Sequence, residues 1–176
     1  MASKHHMPTQ TLPRRPLDEL PIGALAAMKG AHTAKLVLCD TLELIADSLP
    51  GHVDRRLCEV TARQLQDQIA RYHAFEEHIV FPVYRAMSGD AFAARTIDRL
   101  CFEHREDEDF AFELAEQLLA TARGASGNWE TLGFMLRGFF NSVRRHVAFE
   151  QEHVLARLEL DEIQARDGTS TTARLP

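Results

Sequence analysis

One repeated spacing inside long helical patterns constrains this chain more than any other feature. In Tyr72-His73-Ala74-Phe75-Glu76-Glu77-His78 a histidine and a glutamate, His73 and Glu77, stand four residues apart, and His146-Val147-Ala148-Phe149-Glu150 repeats the arrangement. On a helix, positions i and i+4 project from one face a turn apart, so each pair can reach a single point. One such pair is common on surface helices. Two copies, each with an arginine two places before the histidine (Arg71 and Arg144), mark a repeated frame. The interval from His32 to His104 is almost the same as that from His73 to His146, so the two halves of the chain superpose almost in register.

Turn signals divide the chain into four helices. Pro8, Pro13, Pro16 and Pro21 break the N-terminus, so residues 1–17 are expected to be a flexible tail and 18–166 the ordered domain. A first helix is predicted from about Pro21 to Leu49, before Pro50-Gly51. Asp54 caps a second, running to about Met87 with a kink or early stop at Pro82. After Ser88-Gly89-Asp90 a third helix spans Ala91 to Ala122, and Asn128 caps a fourth. Residues 167–176, small and polar, are expected to be a second flexible tail. No strand alternation appears, and three short connections between four long helices predict an all-α, up-down-up-down four-helix bundle.

Helical rise converts distance from a turn into height along such a bundle. His73 stands as far before Met87 as His104 stands after Asp90, and His104 as far before Ala122 as His146 after Asn128. His32, counted back from Leu49, and His73, counted on from Asp54, are level to within a turn. Four histidines, one per helix, therefore meet in one layer, with Glu77 and Glu150 on opposite sides of a central site. Imidazoles and carboxylates without thiolates suit iron, manganese or zinc, and a bundle core is a common place for dinuclear sites. Glu108, one turn beyond His104, offers a further donor, or belongs with Glu106, Asp107 and Asp109 to a solvated acidic run. Seven donors, His32, His73, Glu77, His104, Glu108, His146 and Glu150, suit two metal ions better than the four-ligand shell of a lone zinc. His5, His6 and His52 read as solvated, and His78 and His153 as lying outside the ligand set. A ferritin-like site needs a Glu-x-x-His motif from two helices, and only Glu150 to His153 supplies one.

Composition narrows the partners. A net charge of −6 is scattered without a basic stripe, which argues against nucleic acid or an anionic membrane surface. No apolar run approaches the roughly 20 residues that span a bilayer, and the polar N-terminus lacks a secretory core, so a cytoplasmic location is expected. Cys39, Cys58 and Cys101 form no C-x-x-C and read as buried small hydrophobes.

A first-helix histidine, a second-helix His-x-x-x-Glu, a third-helix histidine and a fourth-helix His-x-x-x-Glu resemble the hemerythrin-like domains, over about His32 to Leu160. The Glu-Glu and Phe-Pro that follow His73 are also similar to that family's second motif. The resemblance implies a non-heme diiron centre, with His32, His73, His104 and His146 as terminal ligands and Glu77 and Glu150 as bridges. Two departures separate this chain from the oxygen carriers: Glu108 follows His104 where they have a second histidine, and Glu150 stands four residues after its histidine where they have an aspartate at five. A carboxylate in place of an imidazole favours the ferric state, which weighs against reversible oxygen carriage. The expected function is binding of two irons and a small diatomic ligand, oxygen or nitric oxide, for sensing, storage or iron handling. The alternatives are a diiron enzyme that breaks down peroxide or repairs iron centres, and an interaction module with zinc or no metal. Binding ranks first because no proton-transfer residue stands out beyond the ligands.

Overall fold

The computed structural model of the protein describes residues 15–125 and 128–172. Its helices are α1 (Ala24–Ser48), α2 (Arg55–Phe75), α3 (Phe81–Ser88), α4 (Ala91–Ala122), α5 (Trp129–Glu150) and α6 (Ala156–Thr172), with no strand among the described residues. Two short π-helical segments, Glu76–Val80 and Gln151–Leu155, join α2 to α3 and α5 to α6, making two continuous rods. With α1 and α4 these rods form the expected up-down-up-down bundle, in which α1 packs chiefly on α5 and α2 chiefly on α4.

The boundaries follow local chemistry. The side chains of Asp54 and Asp90 accept the backbone N–H groups of Leu57 and Ala93, and Asn128 accepts those of Glu130 and Thr131. Each satisfies donors that a helix start leaves without partners. Gly89 ends α3 at φ 62°, a left-handed conformation that glycine adopts without steric cost.

Three boundaries differ from expectation. Pro82 does not stop the second rod; it sits in the first turn of α3, directly behind the π segment, where a missing N–H is tolerated. Pro16–Glu19 forms a 3-10 turn across the boundary expected between tail and domain at residue 17, while residues 1–14 lie outside the described residues. The last helix runs to Thr172, beyond Asp167, and residues 173–176 also lie outside.

The apolar stripes bury two separate clusters. One gathers Leu42, Leu65, Leu114, Leu118, Leu136 and Phe139 at one end of the bundle; the other gathers Met28, Val80, Phe81, Leu100, Val154 and Leu158 at the other. Each fully buried side chain of this size contributes roughly 1.5–3 kcal/mol, so the two clusters can hold a costly polar layer between them. No described helix is long and apolar enough to cross a membrane.

Candidate metal centre

The polar layer lies where each long helix passes from one apolar cluster to the other. His32 follows Met28 on α1, His73 follows Ile69 on α2, His104 follows Leu100 on α4, and His146 lies between Val143 and Val147 on α5. All four histidines are buried, as are Lys35, Glu76 and Glu150, each 0% exposed.

Two overlapping donor groups result. Ligand atoms of His73, Glu76, His104 and His146 lie within 4.8 Å of one another, and so do those of His32, Glu76 and Glu150. Glu76 belongs to both. In the first group the Nε2 atoms of His104 and His146 face each other at 3.2 Å, and Glu76 Oε2 lies 3.5 Å from the former. The His73 ring stacks on His104 with centroids 3.8 Å apart.

The outer nitrogens show how the rings are held. Nδ1–H of His73 donates to Glu108 at 3.0 Å, that of His104 to Glu77 at 2.8 Å, and that of His146 to Glu103 at 3.1 Å. A carboxylate on Nδ1 fixes the tautomer, turns the Nε2 lone pair inward and makes it more basic, which is the usual support of a metal-ligating imidazole. Three such pairs converge on one point.

Two expected ligands lie outside both donor groups. Glu77, expected to face the centre, has its side chain 35% exposed and reaches only the outer nitrogen of His104. Its neighbour Glu76 takes the inner position. The buried stripe of the second rod runs Leu65, Ile69, His73, Glu76, Val80, Tyr84, so a step of three follows His73 where a step of four was expected. Glu108 is 42% exposed and holds His73 from outside the centre. Glu103 and Lys35 were not anticipated. His78 is exposed, its ring against the Ala74 carbonyl, and His153 packs on Phe149; neither joins the centre.

The second group contains a cation of its own. Lys35 Nζ donates to both oxygens of Glu76 at 2.8 Å and lies 3.4 Å from Glu150 Oε2, while His32 Nε2 lies 3.1 Å from that same oxygen. Burial alone would lower the Lys35 pKa, but the Glu150 and Glu76 carboxylates outweigh it and raise it. Burial would raise Glu150, but the Lys35 ammonium and the nearby imidazoles of His104, His146 and His32 hold it well below the usual carboxylate range. Burial and the nearby Glu150 push Glu76 up. Burial and the positive potential of its neighbours keep His73 neutral, with its pKa lowered.

A metal fits the first group on two structural grounds. The three inward imidazoles and a buried carboxylate are a borderline-soft donor set without thiolate, suited to iron. Glu150 Oε1, buried with no hydrogen-bond partner, lies 3.9 Å from His104 Nε2 and is free to coordinate.

His146 gives this fit a pH dependence. Burial lowers its pKa, but hydrogen bonds to Glu103 and Glu150 outweigh this and raise it from 6.5 to about 9. In the metal-free protein the imidazolium therefore stabilises the fold fully below pH 6.5, and that contribution is lost as pH rises through about 9. Coordination requires the neutral ring, so metal uptake at pH 7 expels a proton and apparent affinity rises with pH until about 9. Titrating ferrous ion into weakly buffered protein with a pH indicator checks this; uptake without proton release at pH 7 would contradict it.

A family model described as the hemerythrin HHE cation binding domain matches residues 23–158. No curated protein and no solved structure matched the chain.

Proposed function

Because the chain belongs to the hemerythrin HHE cation-binding family, we propose that this metal-binding protein holds iron at His73, Glu76, His104 and His146 and presents it to oxygen or nitric oxide. The role is sensing, storage or iron handling. The observation that carries this reading is the convergence of three imidazoles, each backed by a carboxylate, on the buried carboxylate of Glu76. Iron bound there would supply a redox-active Lewis acid for a diatomic ligand.

The chain's own groups set the conditions for that ligand. Phe81 stacks on His104 with centroids 5.5 Å apart and, with Val80 and Leu100, excludes bulk water from one side of the layer. A surface groove of about 530 Å³, lined by Glu77, Phe81, Pro82, Arg85, Ile97 and Cys101, includes the two residues that touch His104. The unbridged thiols Cys39, Cys58 and Cys101 suit a reducing compartment such as the cytoplasm.

The alternative, an enzyme consuming peroxide or repairing iron centres, gains one observation. Asp107 is a buried carboxylate outside both donor groups, accepting from Ser142 Oγ at 3.3 Å, and burial raises its pKa, which suits holding a proton. Loading metal-stripped protein with ferrous ion without air, then admitting nitric oxide or oxygen, separates the readings. Binding predicts a charge-transfer band that reverses when the gas is removed. Steady peroxide loss abolished by His146→Ala would favour the enzyme, and absence of iron uptake by the folded protein would contradict both.

A further inference from the structure

We infer that the Lys35 ammonium fills the second cation position of this centre and limits the protein to one metal ion per chain. The inference rests on the metal-site reading and concerns how many ions that site takes.

The two donor groups share Glu76 and would serve a pair of ions if both were open. They are not equivalent. In the group of His32, Glu76 and Glu150, three carboxylate oxygens already face a cation: Lys35 Nζ is 2.8 Å from Glu76 Oε1 and Oε2 and 3.4 Å from Glu150 Oε2. His32 Nε2, 3.1 Å from Glu150 Oε2, adds a further donor to the same oxygen. An ion in that place would need the lone pairs these groups now occupy.

Lys35 cannot easily yield. It stands three residues after His32 on the same face of α1, and its side chain is 0% exposed. Swinging to solvent would move the ammonium out through the packed core. Remaining, it would lie against a divalent ion in a low-dielectric interior, where like charges repel far more strongly than in water.

The imidazoles show the same asymmetry independently. His73, His104 and His146 each have a carboxylate on Nδ1, whereas His32 Nδ1 is buried without a hydrogen-bond partner. The support that prepares an imidazole for a metal is present three times around one group and missing from the histidine peculiar to the other. The sequence repeat breaks at this point too. The interval that takes His32 to His104 also takes Lys35 to Asp107, so corresponding positions in the two halves hold a basic and an acidic residue.

The test counts ions and reads their coupling. Metal-stripped wild-type protein is loaded with excess ferrous ion without air, desalted, analysed for iron per chain, then oxidised and examined by electron paramagnetic resonance. One iron per chain with the signal of an isolated high-spin ferric ion is expected. Lys35→Ala, which removes the ammonium and leaves space, is expected to double the iron content and give an antiferromagnetically coupled pair. Two irons and spin coupling in the wild type would overturn the inference while leaving the metal site intact, and so would a folded Lys35→Ala variant that still takes one. No iron in the wild type would refute the metal-site reading itself. Should Lys35→Ala fail to fold, the wild-type count and spin state decide alone.

Discussion

Glu76→Gln abolishes iron uptake under conditions in which Glu77→Gln still loads. Adjacent in sequence, the two glutamates have different physical roles. Glu76 is fully buried, belongs to both donor groups and offers oxygen lone pairs to the centre. Glu77 accepts the Nδ1–H of His104 from the partly exposed side. Removing a carboxylate that orients a ligating imidazole typically costs about 10–100-fold in metal affinity, because the ring keeps its donor atom and loses only its support. Removing the ligand's own charge costs more. Titration of both variants with ferrous ion decides the matter, with Glu103→Gln, which releases His146, expected to resemble Glu77→Gln. Equal losses in the two neighbouring variants would put Glu77 back at the centre.

Lys35→Ala destabilises the metal-free protein by about 3–5 kcal/mol, the usual cost of breaking a buried pair and leaving its partner charges uncompensated. Both partners are fully buried carboxylates, so water cannot take over from the ammonium. Loss of the lysine stem leaves a void that adds to the penalty. Urea unfolding of stripped wild type and variant measures it. Added metal, stabilising only the folded state, is expected to recover much of the difference. A variant as stable as the wild type without metal would show that Lys35 does not hold the carboxylates together.

The helical frame was legible because its punctuation is local. Asp54, Asp90 and Asn128 are short polar residues ahead of apolar-periodic runs; Asp54 and Asn128 cap their helices as expected, and Asp90, read as part of a turn, caps α4. The level placement of His32, His73, His104 and His146 followed from rise per residue alone. Which carboxylate turns inward did not, because Glu76 and Glu77 both lie within one turn of His73 and a uniform step of four selected Glu77. Continuing the stripe from Leu65 and Ile69 through His73 to Val80 would have required one step of three, and that step lands on Glu76. The π segment beginning at Glu76 is the local irregularity that spacing rules do not anticipate.

Lys35 is hidden in the sequence for a different reason. A lysine in an amphipathic helix normally belongs to the solvated face. Here it occupies the buried stripe of Met28, His32, Lys35, Cys39 and Leu42, a register position that was itself the missed signal. Glu103 and Glu108 flank His104 in a run of charge that reads as solvent-facing, and both are partly exposed; their function lies in which ring nitrogen they reach.

Anomalous diffraction from crystals of the iron-loaded protein locates the metal among these side chains. An iron peak is expected among His73, Glu76, His104 and His146, with Glu77 and Glu108 still hydrogen-bonded to the outer nitrogens of His104 and His73. A peak coordinated by Glu77 or Glu108, or no peak within this layer of an iron-loaded crystal, would contradict this placement.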